Sequence, residues 1–198
     1  AAEFALTSWR KWDTDYGNYG RNVFNRLVEM SWRAMEQGRL SEEIQATLKA
    51  ELLRLSGLHF DGLDNNSFHS RQLWNCVKKL GLRDAILEMA NAAASSDDPQ
   101  RIYNAATYLS FVSHYEHGLF DAAHKAFERV LATEHTPSNL RQQAFSSLYS
   151  LLINNNFRRW AEALKILAPW QNTGSLAPET YLHNRGYCLY KLGRNDEG

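Results

Sequence analysis

The sequence predicts an all-helical chain of antiparallel helix pairs, and three observations carry that prediction. From Asn22 onward, apolar residues recur three and four positions apart, which is the period of one helix face. The stripes are interrupted at short intervals by glycine, proline or Ser/Asp clusters, the residues that end and restart helices. No segment alternates apolar and polar residues over a useful length, and 4 prolines and 11 glycines are too few turn residues for an all-β chain of 198 residues.

Residues 1–21 read as an irregular lead-in. Trp9, Trp12, Asp13, Asp15, Tyr16, Gly17 and Tyr19 show no helical period, and their aromatics are expected to pack on the first helices. The opening Ala1-Ala2-Glu3-Phe4 resembles residues left by a cloning vector.

Residues 22–98 read as helical hairpins, either degenerate repeats or a cap. Val23, Phe24, Leu27, Val28, Ser31 and Met35 form one stripe, which Gly38 ends. Ser41 is suited to cap the next helix, with Glu42 and Glu43 facing its positive end. Ile44, Leu48, Leu52 and Leu55 form its stripe, and Gly57 is expected to stop it. A loop over 57–67 leads to a Ser67 cap and to Leu73, Trp74, Val77 and Leu80, ended by Gly81. Asp84 opens a partner helix carrying Ile86, Leu87, Met89, Ala90 and Ala93.

Ser95-Ser96-Asp97-Asp98-Pro99 is a stop and restart, with Pro99 placed in a first helical turn. Two further pairs follow, over 99–117 with 119–133 and over 138–154 with 157–168. Thr173-Gly174-Ser175 marks the next turn, and a last helix covers 178–192. Short connections of this kind leave antiparallel hairpins only one another's faces to stack on.

Composition excludes several functions. The 22 Lys/Arg residues balance 22 Asp/Glu, and the pI is about 7.3, so neither a nucleic-acid partner nor an anionic membrane surface is expected. The basic groups Lys78, Lys79, Arg83 and Arg141, Arg158, Arg159 read as solvated faces. No apolar run reaches the ~20 residues of a membrane span. Cys76 and Cys188 sit in apolar helical runs and are expected to be buried thiols, a usage that fits a reducing compartment and a cytoplasmic location.

Catalysis and metal binding find little support. Among seven histidines, only His114 and His117 share a helix face at three-residue spacing, with no Cys or Glu at a recognised interval. The Trp12–Asn18 stretch is a poor calcium loop, because its glycine falls one place early and Phe24 stands where a bidentate Glu belongs. Asp61 and Asp64 near His59 read as helix caps. There is no nucleophile elbow and no phosphate-cradling glycine loop. No enzyme activity, catalytic residue, metal or cofactor is expected.

Three segments share a pattern. The first is Asn184-Arg185-Gly186-Tyr187-Cys188-Leu189-Tyr190-Lys191-Leu192-Gly193-Arg194-Asn195-Asp196-Glu197. The second is Gly118-Leu119-Phe120-Asp121-Ala122-Ala123 with Phe127 beyond it, and Phe111 at the close-contact position of its first helix. The third is Arg158-Arg159-Trp160-Ala161-Glu162-Ala163 with Leu167 and Pro169. Their turn positions, 118, 158 and 193, are 40 and 35 residues apart, with the extra residues expected around 133–140. In these residues the chain resembles the tetratricopeptide repeat (TPR) family over about 103–198.

That resemblance implies a right-handed α-solenoid whose 99–198 portion consists of TPR-like repeats, the last one incomplete at Gly198. It implies a concave groove lined by first helices, formed by Tyr108, Val112 and Tyr115, then Leu148, Leu152, Asn155 and Asn156, then His183, Asn184, Tyr187, Tyr190 and Lys191. Such a groove would bind a peptide or helix of a partner protein, as part of a larger assembly. The alternative is a regulatory domain of an enzyme or transcription regulator whose active part lies elsewhere. Tyr108, Leu148 and His183 stand where some relatives place a cationic carboxylate clamp, so that ligand is not expected. An incomplete last hairpin would also leave a face for a homodimer.

Overall fold

A computed structural model describes residues 32–38, 40–61, 71–171 and 177–197. Among these residues every regular element is helical. A helical turn over 32–36 precedes α1 (Glu42–Phe60), α2 (Arg71–Lys79), α3 (Arg83–Ala94), α4 (Pro99–Ser113), α5 (Phe120–Ala132), α6 (Ser138–Ile153), α7 (Trp160–Leu167) and α8 (Pro178–Lys191). Short 3₁₀ turns stand at His117–Leu119, Ala168–Trp170 and Asn195–Glu197. The lead-in, the calcium-like stretch, Asp64, the Ser67 cap, the turn at 173–175 and Gly198 lie outside the described residues.

Packing follows chain order. α1 contacts α3 and α4, α3 contacts α4, α4 contacts α5 and α6, α5 contacts α6, α6 contacts α7, and α7 contacts α8. One apolar core runs through these contacts, from Met35 and Leu40 at one end to Leu167 and Cys188 at the other. Ala105, Ala106, Ala123, Ala144 and Ala163 are all fully buried, and small side chains of this kind let helix axes approach.

The helix starts follow local chemistry. The Ser41 side chain accepts from the Ile44 N–H at 3.4 Å. The Asp98 carboxylate accepts from the Gln100 N–H at 2.8 Å, with Pro99 in the first turn of α4. Asp84 falls in the first turn of α3, but no side chain caps that helix. Between α5 and α6, where extra residues were expected, the Thr136 hydroxyl donates to the Val130 carbonyl at 2.7 Å and closes the connection.

Gly57 corrects the sequence reading. It does not stop α1, which continues to Phe60. A Cβ at Gly57 would stand 3.4 Å from Met89 Cε on α3, so the glycine lies at the contact between the two helices. The residues beyond it favour continuation, because His59 and Phe60 are both buried.

Arg158 is the non-glycine residue with positive φ among the described residues, at 55°. It stands at the turn position where the best repeat has Gly193, whose φ is 71°. Left-handed backbone costs an L-residue roughly 1–2 kcal/mol, while glycine gives some of that back through its greater freedom when unfolded. Arg158→Gly is therefore expected to raise stability by about 0.5–1 kcal/mol, read as a higher urea midpoint. The Arg158 Nε–H bond to the Asn155 carbonyl, at 3.0 Å and solvent-exposed, is too weak to reverse the sign.

Both cysteines are buried and unbridged. Burial pushes the Cys76 thiol from the usual 9.0 up to about 12, and burial likewise raises Cys188, against a lowering hydrogen bond from Tyr149. The Tyr108 and Tyr149 phenols are raised as well, chiefly by burial. A raised folded-state value means that unfolding releases these protons at high pH. Their stabilising contribution is complete below pH 9.0 and is lost as pH climbs toward about 12. The midpoint temperature should fall steadily across that window, and a thiol reagent at pH 8 should label neither cysteine until the chain is unfolded.

Candidate binding cleft

α4 and α6 are each apolar on one side and polar on another. On α4, Ile102, Ala105, Leu109 and Val112 are buried, and Thr107, Ser110 and His114 remain half-exposed. On α6, Ala144, Leu148, Leu151 and Leu152 are buried, while Gln142, Gln143, Ser146 and Ser150 are exposed. Because the two helices lie side by side, their polar stripes face each other across a cleft.

The cleft has a volume of about 450 Å³, with Thr107, Ser110, Phe111 and His114 on one wall and Ser146, Ser147, Ser150 and Asn154 on the other. Buried Phe127 and Leu151 complete its lining. A neighbouring hollow of about 420 Å³ shares Ser146 and Ser147 and adds Tyr103, Asn139, Gln142 and Gln143. The Tyr103 and Ser147 hydroxyls meet at 3.5 Å across the two walls. No Asp, Glu, Lys or Arg lines either hollow.

One end of the cleft is fixed by a chain of hydrogen bonds. The Asn156 N–H donates to Asn154 Oδ1 at 2.9 Å, which turns the Asn154 amide nitrogen toward His114 Nε2, also at 2.9 Å. That nitrogen donates, so Nε2 accepts, and the proton of the neutral ring sits on Nδ1. His114 Nδ1 in turn lies 2.8 Å from the Ser110 carbonyl, which it can only donate to. Both ring nitrogens are thereby occupied by the protein's own groups, and His117, its partner at metal-like spacing, is exposed with its ring edge-on to Phe157. Among the described residues, no group of three His, Cys, Asp or Glu side chains is placed to hold a metal ion, and no helix is long and apolar enough to cross a membrane.

No protein family, curated protein sequence or solved structure matches the chain.

The residues expected from sequence to line a groove are not the ones that line this cleft. Tyr108 is 3% exposed, and Val112, Leu148 and Leu152 are 0% exposed. These four are corrected to core residues. Tyr108 packs edge-on against Phe60 at 5.3 Å and Trp74 at 6.3 Å, between α4 and the helices before it. Tyr115 is exposed, but it stands beside Arg71, whose guanidinium lies 6.0 Å from the ring. Asn155 and Asn156 are exposed in the turn after α6. His183, Tyr187, Tyr190 and Lys191 are exposed on α8, and the half-buried Asn184 uses its carbonyl to accept the Tyr149 hydroxyl at 3.2 Å.

The error is one residue of helical phase. Thr107 and Ser147 line the cleft where Tyr108 and Leu148 were expected, and each residue turns a helix by about 100°. The signal was present in the sequence as hydroxyl and amide residues at three- and four-residue spacing, with Thr107, Ser110 and His114 on one helix and Ser146, Ser150 and Asn154 on the other.

Proposed function

We propose that this chain is a protein-interaction module, a right-handed solenoid of TPR-like hairpins that binds a peptide segment of a partner protein between α4 and α6. The observation that carries the proposal is the cleft itself, walled by two non-consecutive helices, uncharged, and dense in hydroxyl and amide groups. The solenoid reading is supported by packing that follows chain order and by the buried Ala123 and Ala163 at the small-residue positions of the repeat pattern.

The spacing of the wall suits an extended chain. Gln142, Ser146 and Ser150 follow one another every fourth residue along α6, a rise of about 6 Å per step. Alternate peptide groups of an extended strand repeat about every 6.6–6.8 Å. Flexible side chains absorb the difference, so successive rungs can meet successive main-chain groups. The absence of charge in the lining favours an uncharged segment and leaves nothing to grip an acidic carboxyl terminus.

The test is selection of displayed, unstructured peptides against the full chain, followed by affinity measurement on the enriched sequences. Enrichment of uncharged peptides whose affinity falls at least about tenfold in Ser146→Lys/Ser150→Lys supports the proposal. Failure to enrich any sequence, or binding indifferent to both substitutions, overturns it.

A further inference from the structure

One end of the cleft is built around an imidazole without a proton on Nε2. The Asn156 backbone N–H can only donate, so the Asn154 atom it meets at 2.9 Å is Oδ1. The Asn154 amide nitrogen is thereby left facing His114 Nε2, also at 2.9 Å. His114 Nδ1 lies 2.8 Å from the Ser110 carbonyl and 3.2 Å from that of Phe111, so the ring's one N–H is already engaged there.

A second proton can go only to Nε2. There it sets an N–H against the N–H of Asn154, two donors with no acceptor between them. The Asn154 amide then has two ways out. It can rotate by half a turn and accept from the imidazolium, or it can swing away into solvent. In both cases Oδ1 leaves the Asn156 N–H. Imidazole ordinarily changes its charge between about pH 5 and 8, so acidification inverts this contact.

The elements around His114 do not offset that conflict. From the turn after α6 it is faced by Asn154 and by the Phe157 ring, edge-on at 6.1 Å. Phe157 also meets His117 at 5.7 Å and Phe120 at 4.5 Å. Phe120 stacks on His124 at 5.8 Å, and the Arg159 guanidinium lies 5.5 Å from the Phe120 ring. The other cation of that turn, Arg158, is exposed and donates to the Asn155 carbonyl. Among the described residues no carboxylate pairs with His114. Glu116 pairs with Arg83 and Glu162 with Arg159, Glu128 stands 3.7 Å from His124, and Asp121 is exposed.

We infer that His114 is a pH switch on the α4–α6 cleft: its protonation takes the Asn154 side chain off the Asn156 N–H and loosens the 154–158 turn at the cleft's end. Asn154 and His114 both line the cleft, so the wall that a ligand meets differs between the two protonation states. The switch is a property of the wall itself, and its test uses no peptide, so it stands apart from the peptide-binding proposal.

Nuclear magnetic resonance on the full chain, from about pH 8 to about pH 5, reads the switch. The Asn156 amide proton should move upfield, the mark of a lost hydrogen bond, with the same midpoint as the His114 ring. His114→Gln has no proton to gain there, and its Asn156 signal should stay in place. Asn154→Asp can accept from the imidazolium and from the Asn156 N–H together. In that variant the His114 midpoint should rise by about one pH unit or more, with no upfield movement at Asn156. His117→Gln/His124→Gln should keep the response of the unsubstituted chain. A His114 ring that titrates while Asn156 stays still overturns the inference, as does a ring that does not titrate in this range. So does an Asn156 response that survives His114→Gln, one that vanishes in His117→Gln/His124→Gln, or an Asn154→Asp midpoint that fails to rise.

Discussion

Phe127→Ala should lower the unfolding free energy by about 3–5 kcal/mol. Phe127 is 0% exposed on α5, and α5 is the helix that contacts both α4 and α6. Its ring lies 6.2 Å from that of Tyr103, edge-on, and it belongs to the cleft lining together with Leu151. Removing it leaves a void bounded by three helices. Collapse is opposed by the density of the surrounding core: Leu109, Val130 and Leu148 on these three helices are all fully buried. The loss should therefore sit near the upper end of the range for large-to-small replacements. Packing by chain order adds a second consequence. A weakened α4–α5–α6 contact is a weakened link between the two ends of the core, so unfolding should become less cooperative. Urea denaturation checks both, through a lower midpoint and a shallower transition. A loss under about 1 kcal/mol would show that the helices close around the void and that this core is more plastic than its packing implies.

The helices were legible because stripe and punctuation agreed. Ser41, Asp98 with Pro99, Gly38, Gly81 and Gly193 each act locally, through a side-chain cap, a fixed φ or a left-handed backbone. Such signals need only a few neighbouring residues to be read. Gly57 does not end its helix because what decides is tertiary: His59 and Phe60 beyond it are buried, and the glycine itself faces Met89 on another helix. Arg158 shows the opposite limit. The repeat pattern pointed to a turn there, and the chain makes that turn with φ 55° despite the arginine, held by the Arg158 N–H donating to the Asn154 carbonyl at 2.9 Å and the Arg159 N–H to the Leu152 carbonyl at 2.8 Å. The cleft failed for a third reason. The repeat pattern places Tyr108, Val112, Leu148 and Leu152 in the groove, yet large apolar side chains gain most by burial, and all four are buried, Tyr108 against Phe60 and Trp74. What remains for the open side of such a helix is its polar stripe.

That one-residue phase yields the second large effect. Leu148→Lys is expected to abolish cooperative folding, and Ser150→Lys, two residues along the same helix, to leave stability within about 0.5 kcal/mol. Leu148 is 0% exposed and faces the core with Leu151 and Leu152. Its replacement would bury an ammonium in the apolar core cluster, a cost of several kcal/mol even after the group gives up its proton. Domains of this size hold only about 5–15 kcal/mol in total. Ser150 is exposed at the cleft wall, where a lysine keeps its charge in water. It would nevertheless put a cation in a lining that has none, so an uncharged peptide that binds there would lose at least about tenfold in affinity. Thermal melts followed by circular dichroism, read beside peptide affinity, separate the two substitutions. If Ser150→Lys melts as early as Leu148→Lys, the phase of α6 is wrong, and the cleft with it. If Ser150→Lys keeps its melt and loses the peptide, stability and recognition lie on adjacent stripes of one helix.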